Sequence, residues 1–307
     1  SEGGAASIDS KHARGGRMLP SAPALASLRG HRDTVTCVRA HPSFGLVASC
    51  GEDGTVKLWD AESGGRLEKT CRGHTKAVNG VDFDASGDLL ASCSSDLTIK
   101  LWSSATDWAC SKTLSGHEHT VSAVSFIPST DLLASCSRDG TLRVWDVSTG
   151  YCLLTEGLAG GSWVRCVASQ ERWVATGADD HAVRLYSTAK LPRGLGTARE
   201  LRRHEHSVQC VSLAKSGQSD LLASGGRDSL VCVWEAGKGA LLFVLEGHHS
   251  NWVNDVLFHV DGKHLLSCSD DRSVRVTDVS KQRCLRVLED AHAHFVTSLC
   301  LSPHISR

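Results

Sequence analysis

From about residue 25 onward the chain consists of short runs in which apolar and polar residues alternate. The runs are rich in Val, Leu and Ser, as in "TVKLW" and "TLRVW", and Gly, Asp and Ser separate one run from the next. A period of two residues predicts β-strands with one buried face, and the separators predict tight turns. No segment reads as a long helix, so we expect an all-β fold.

One sequence unit recurs six times. It has Ser or Thr, then Asp four residues later, and usually Trp six residues after the Asp. The copies are "SCGEDGTVKLWD", "SCSSDLTIKLWS", "SCSRDGTLRVWD", "TGADDHAVRLYS", "SGGRDSLVCVWE" and "SCSDDRSVRVTD". Upstream, Gly-His or a relative of it recurs every 43 or 44 residues, at His31, His74, His117, Gly160, His204, His248 and His292.

This period with its Gly-His and Trp-Asp marks resembles the WD-repeat family over about residues 25–301, which implies a β-propeller. Six full units and the beginning of another, "DAHAHFVTSLCLSPH", predict seven blades with the seventh incomplete. The outer strand of that blade would come from "ALASLRG", ahead of the first Gly-His. We expect residues 1–24 to form a flexible N-terminal tail and residues 302–307 a truncated C-terminal end.

The resemblance implies that the shared polar residues form a buried, hydrogen-bonded tetrad in each blade. Ser, His and Asp are also the residue types of acyl transfer, but a scaffold needs them in every blade and an enzyme needs one activated serine. We therefore expect no catalytic residue. The complete tetrads are His31, Ser49, Asp53 and Trp59; His74, Ser92, Asp96 and Trp102; His117, Ser135, Asp139 and Trp145; and His204, Ser224, Asp228 and Trp234. Gly160 and Tyr186 interrupt the pattern in the fourth blade, and Thr277 interrupts it in the sixth.

Function is best sought where the copies differ on an exposed face, because the shared residues build the fold. Arginine precedes the tetrad Asp in two copies, as Arg138 and Arg227, and Arg272 follows it in another. Large aromatics replace small residues at the start of three first strands, at Trp163, Trp252 and Phe295, and Arg165 lies two positions after Trp163. Arginine and tryptophan grouped on one rim are typical of protein-binding hot spots. The alternative interpretation is that the tryptophans shield blade ends and the arginines are solvated.

Composition narrows the function classes without selecting one. The 307 residues carry a formal net charge of −1, which does not favour nucleic acid as the partner. No stretch has the length and apolarity of a membrane span, and the 13 cysteines lack a Cys-x-x-Cys pair. We expect buried thiols in a reducing, intracellular compartment. Neither a metal nor a cofactor site is expected, since we found no metal-spaced Cys/His cluster and no phosphate-binding loop.

Several phrases are similar to one branch of the family, the lissencephaly or nuclear distribution proteins. They include "GHRDTVTCVRAHPSF", "SRDGTLRVWDVSTGYC", "NWVNDVLFH" and "AHAHFVTSL", and the similarity extends from about Leu19 to the end. The resemblance implies a non-enzymatic regulator that binds the cytoplasmic dynein heavy-chain motor domain in microtubule-based transport, nuclear positioning and the mitotic spindle. The positions it implies for motor contact are Arg138, Arg165, Arg227, Trp252 and Arg272.

The same resemblance implies further partners and a location. Nuclear-distribution adaptor proteins and an acetylhydrolase catalytic subunit are candidate partners, and the location would be the cytoplasm, at microtubules, centrosomes or spindle poles. The family is homodimeric, but its dimerisation region has no counterpart in this sequence. One alternative has the same fold but a different binding partner: the protein would be a scaffold or a ubiquitin-ligase substrate receptor that binds acidic peptides on the same rim.

Overall fold

The computed structural model describes residues 6–8, 26–158, 160–214, 220–289 and 292–302. Its strands form six four-stranded antiparallel sheets and one two-stranded sheet, as the repeat predicts for most of the chain. The two-stranded sheet pairs β1 (Ala6–Ile8) with β2 (Ala26–Leu28). The four-stranded sheets, here called blades one to six, contain β3 (Val35–Ala40), β4 (Leu46–Gly51), β5 (Thr55–Asp60) and β6 (Arg66–Arg72); β7 (Val78–Phe83), β8 (Leu89–Ser94), β9 (Thr98–Ser103) and β10 (Ala109–Ser115); β11 (Val121–Ile127), β12 (Leu132–Ser137), β13 (Thr141–Asp146) and β14 (Cys152–Gly157); β15 (Val164–Ser169), β16 (Trp173–Ala178), β17 (Ala182–Ser187) and β18 (Arg199–Arg202); β19 (Val208–Leu213), β20 (Leu221–Gly226), β21 (Val231–Glu235) and β22 (Ala240–Leu245); and β23 (Val253–Phe258), β24 (His264–Ser269), β25 (Val274–Asp278) and β26 (Arg283–Leu288).

Each blade is a meander in which every strand pairs with the next one along the chain. The first strands of successive blades lie side by side, and a short 3-10 helix, Ser104–Thr106, follows β9. This arrangement is the β-propeller that the WD-repeat resemblance implies. Among the described residues, no helix has the length and apolarity to cross a membrane.

The hydrophobic core lies in layers between neighbouring blades. Leu58 of blade one packs with Leu90 and Trp102 of blade two, and Leu101 of blade two packs with Trp145 of blade three. All five side chains are almost completely buried. The alternating pattern of the strands places one such residue on each face, so each blade stabilises both of its neighbours.

A β-bulge occurs at the start of the first strand in every blade. The register shifts between Val35 and Cys37 in β3, and at the equivalent place in β7, β11, β15, β19 and β23. A bulge leaves one residue outside the ladder and changes the direction of its side chain. The residues at these positions are Thr36, Asn79, Ser122, Arg165, Gln209 and Asn254.

The prediction of seven blades is wrong in its count, because the described residues form six blades and contain no seventh four-stranded sheet. Residues 292–302 have no strand, and β2 pairs with β1. The segment nevertheless connects blades six and one: the Ser298 hydroxyl donates to Asp255 (2.9 Å) and accepts from the Val38 amide (3.3 Å). A single segment cannot form a blade because a sheet needs neighbouring strands with which to pair. The expected tail, residues 1–24, and the expected end, residues 302–307, lie mostly outside the described residues.

Candidate functional site

One end of the propeller has the same backbone arrangement in all six blades. The residue that precedes the tetrad Asp donates its N–H to the carbonyl of the residue just before the first strand. Examples are Arg138 to Thr120 (3.0 Å), Arg227 to Ser207 (2.9 Å) and Asp270 to Trp252 (3.0 Å). These bonds hold the turn between the second and third strands against the entry to the first strand. We call this surface the rim.

Buried tetrads support the rim from below in blades one, two, three and five. In each of these blades the His Nδ1 lies 2.7–3.0 Å from the Asp carboxylate, and its Nε2 lies 2.8 Å from the Ser hydroxyl. The Trp indole N–H donates to the same hydroxyl at 2.7–2.9 Å. The tetrad residues that the sequence analysis singled out are therefore brought together.

Burial and hydrogen bonding fix the charges in these tetrads. Burial lowers the pKa of His31 and His74, which keeps both rings neutral near pH 7. Burial opposes ionisation of Asp53 and Asp96 as well. Hydrogen bonds from backbone N–H groups and from Thr55 and Thr98 outweigh it, so the pKa of each carboxyl falls to about 2. The tetrads of blades one and two thus combine an ionised Asp with a neutral His.

The geometry does not make the tetrad serines nucleophiles. Ser135 is fully buried, and its hydroxyl oxygen is held between His117 and the indole N–H of Trp145. A nucleophile must contact its substrate, and these serines lie beneath the rim. The tetrads are structural elements that position the hairpin tips.

Blade four replaces its tetrad with an ion pair. Arg184, which is 4% exposed, donates to both oxygens of Asp180. It also donates to Glu200, through Nε at 3.1 Å and Nη2 at 2.7 Å. Gly160 and Tyr186 stand where other blades have His and Trp. The guanidinium therefore provides the donor for the Asp that imidazole provides elsewhere.

Blade six uses a histidine that the repeat alignment did not select. His249, rather than His248, lies 2.8 Å from both Asp271 and Ser267. The Nε2 atom of His248 lies 3.3 Å from the hydroxyls of Ser267 and Thr277, at the place that an indole N–H occupies in other blades. An extra residue before the motif makes this exchange possible: the sequence reads Gly-His-His.

Cation–aromatic contacts join neighbouring blades across the rim. The guanidinium carbon of Arg138 lies 4.9 Å from the centroid of the Trp163 ring, and that of Arg165 lies 5.8 Å from it. Arg227 lies 4.2 Å from the centroid of the Trp252 ring. Both rings remain about two-fifths exposed. A guanidinium stacked on a half-exposed indole presents charge and apolar area together.

Arg165 occupies the bulge of blade four. Its Nη2 donates to Asp179 at 2.9 Å, and its Nε also contacts that carboxylate. A polar cavity is lined there by Asn79, Thr120, Ser122, Arg138, Arg165 and Gln209. Arg165 was predicted from the sequence to lie at the rim, but the three other bulge residues that line the cavity, Asn79, Ser122 and Gln209, were not. Their shared position, one residue after the first Val of each repeat, was the available signal.

Positive charge accumulates around this cavity. Burial and the nearby charge of Arg165 lower the pKa of Arg227, although the guanidinium stays protonated. Within the described residues, the buried Nε of Arg227 and Nε2 of Gln209 have no hydrogen-bond acceptor. Buried donors without acceptors favour an incoming carboxylate or other anion.

The two remaining predicted contact residues lie farther along the rim. Arg272 is exposed at the hairpin tip of blade six, where its φ of +69° places it in the left-handed region. Phe295 is 62% exposed and precedes Val296, whose N–H donates to Ser269 at 3.3 Å. All seven predicted residues therefore lie on one surface, with the arginine–tryptophan contacts concentrated in blades three to six.

Comparison with known proteins places the chain among propellers of one type. The family model described as "WD domain, G-beta repeat" matches residues 23–60, 65–103, 108–146, 150–187, 197–235 and 239–278. Nuclear distribution protein PAC1 of Coccidioides posadasii is 41% identical, over 94% of this chain and 66% of the relative. PAC1 of Ajellomyces capsulatus is 40% identical over 94% and 68%, and nuclear distribution protein nudF of Emericella nidulans is 38% identical over 93% and 68%. The chain spans about two thirds of the length of these relatives.

Proposed function

Because the chain belongs to the WD40 repeat family and, within it, to the nuclear distribution proteins, we propose that it is a non-enzymatic regulator of cytoplasmic dynein. In this proposal the rim binds the dynein motor domain, and the protein acts in the cytoplasm on microtubule-based transport. Adaptor proteins of nuclear distribution are further candidate partners.

The observation that carries the proposal is the set of arginine–tryptophan contacts on the rim. Arg138 and Arg165 lie beside Trp163, and Arg227 lies over Trp252. The chain as a whole is nearly neutral, so attraction of an acidic partner must come from local charge such as these three arginines, of which Arg165 is paired with Asp179. An acidic surface on the motor fits it, since charge complementarity increases the association rate and fixes orientation.

The other end of the propeller offers matched controls, because the turns between first and second strands point away from the rim. Arg172 lies in that turn of blade four, and its side chain is 77% exposed near Asp220. Arg172→Glu therefore makes the same charge change as Arg165→Glu in the same blade, at the opposite end.

The experiment measures binding of the full chain to a purified dynein motor domain at two salt concentrations. Arg165→Glu and Arg138→Glu are expected to weaken binding by about 1–3 kcal/mol and to reduce its salt dependence. Arg172→Glu is expected to bind as the unchanged chain does, and circular dichroism verifies that each variant is folded. Equal binding by all variants, or equal loss in Arg172→Glu, would contradict the proposal.

A further inference from the structure

A group of possible metal ligands lies at the end of blade six opposite the rim. His259 follows β23, His264 begins β24, and Asp261 lies in the turn between them. One ligand atom from each residue falls within 4.8 Å of the others. No metal site was predicted from the sequence, where this His-x-Asp-x-x-His spacing does not stand out. The spacing indicates a ligand group only once the tight hairpin is known to bring the two histidines together.

Hydrogen bonds within the turn hold the three side chains in place. The His259 amide donates to the His264 carbonyl at 2.9 Å, and Gly262 adopts a φ of +64°. Asp261 Oδ1 accepts hydrogen bonds from the amides of Lys263 (2.8 Å) and His264 (3.2 Å). The Asp261 side chain is only 4% exposed, whereas the two imidazoles are about one-fifth exposed. The ligand set is thus pre-organised and reachable from solvent.

The distances fit a small divalent cation. Nδ1 of His259 lies 3.1 Å from Asp261 Oδ1, and Nδ1 of His264 lies 2.8 Å from Oδ2. Ligand atoms about 2.0–2.1 Å from a tetrahedral Zn²⁺ lie roughly 3.3 Å apart. Separations of this size need to open by only a few tenths of an ångström to admit the ion.

The Nδ1 atoms of both imidazoles face the same carboxylate, that of Asp261. In the metal-free chain these contacts are hydrogen bonds from protonated ring nitrogens to Asp261. A divalent cation would take the place of those protons and hold the same three side chains.

We propose that His259, Asp261 and His264 form a binding site for a divalent transition-metal ion of the Zn²⁺ class, with solvent completing the coordination. Two imidazoles and one carboxylate suit Zn²⁺ better than Mg²⁺ or Ca²⁺, which prefer oxygen ligands throughout. The site would connect the ends of β23 and β24 and stabilise blade six, next to the single segment that joins it to blade one.

The test measures Zn²⁺ binding by competition with a chromophoric chelator, on untagged full-length chain. Iodoacetamide first blocks accessible thiols, because Cys110 is exposed and would compete for the metal. We expect one Zn²⁺ per chain, an increase in the thermal unfolding temperature, and a Co²⁺ spectrum in the visible range typical of four-coordination. Asp261→Asn and His264→Gln are each expected to weaken Zn²⁺ binding more than about 10-fold, since even the outer partners of a metal site contribute that much.

His181 and His206 provide a matched control, since their rings lie 6.0 Å apart, the same separation as those of His259 and His264. In the described part of the chain they belong to no three-residue ligand group. The variant with His181→Gln and His206→Gln should bind Zn²⁺ as the unchanged chain does. No binding by the thiol-blocked chain, or unchanged binding by folded Asp261→Asn, would overturn the proposal and leave a metal-free hydrogen-bonded turn.

Discussion

The guanidinium of Arg227 lies over the ring of Trp252, its central carbon 4.2 Å from the ring centroid. Arg227 belongs to the hairpin tip of blade five and Trp252 to the strand entry of blade six, so the contact connects two blades at the rim. The two residue types that distinguish these blades from the other repeats thus form one unit.

This contact predicts coupled effects on motor binding. Arg227→Gln and Trp252→Ala should each weaken binding to the dynein motor domain, and the double variant should lose less than the sum of the two. A coupling energy of about 1 kcal/mol is expected for a cation–aromatic pair at a partly exposed site. A double-mutant cycle by titration calorimetry measures it. Strict additivity would show that the two residues act separately.

Removing a tetrad hydroxyl should destabilise the propeller. Ser135→Ala leaves His117 Nε2 and Trp145 Nε1 without their shared partner in a fully buried site. Each of these two unsatisfied groups costs about 1–3 kcal/mol, so the free energy of unfolding in urea should fall by about 2–6 kcal/mol. Ser148→Ala, at an exposed turn of the same blade, is the control. A stability loss no larger than that of the control would contradict the structural role.

The ion pair of blade four should be similarly sensitive. Arg184→Met leaves Asp180 without its guanidinium partner, and we expect a loss of about 3 kcal/mol in urea unfolding. Adding Asp180→Asn removes the unpaired charge and should restore part of the stability. Hydrogen exchange should localise the loss to β16 and β17. If the double variant were less stable than Arg184→Met, the unpaired charge would not be the cause.

His248 predicts a pH dependence of stability. Burial and the nearby charges of His249 and Arg275 lower its pKa from 6.5 to about 4. The unfolded chain therefore binds more protons than the folded chain between these values, and stability falls as the pH drops from about 6.5 toward 4. His248→Asn should remove about 2 kcal/mol of the loss between pH 7 and pH 4.5. The slope of unfolding free energy against pH measures this, with exposed His206→Gln as the control. An unchanged slope would contradict it.

The repeat made most of the fold predictable, because the same pattern of strands, turns and tetrad residues recurs in each copy. The sequence predicted the all-β propeller but not the state of the last unit, since one segment without partner strands cannot form a sheet. In blade six the repeat spacing did not identify the tetrad histidine. Spacing alone favoured His248 in Gly-His-His, and only the packing beside Thr277 shows that His249 takes the tetrad position.

The candidate site was predictable to a different extent. Disagreement among repeats identified Arg138, Trp163 and Trp252, because a side chain that builds no shared structure stands out from its equivalents. Gln209 was missed because it depends on a bulge, which inverts the direction that strand alternation implies. The repeat pattern also could not predict the ion pair of Arg165 with Asp179, because this pair joins the bulge to a hairpin tip.

The central claim is that the rim itself contacts the dynein motor, and site-specific photo-crosslinking tests it most directly. Phe295 at the rim and Phe44 in the opposite turn of blade one are 62% and 68% exposed, so a photoreactive phenylalanine analogue can replace either with little effect on packing. We predict that the analogue at position 295 crosslinks to the purified motor domain and that the analogue at position 44 does not. Crosslinking from position 44 and none from position 295 would contradict the account.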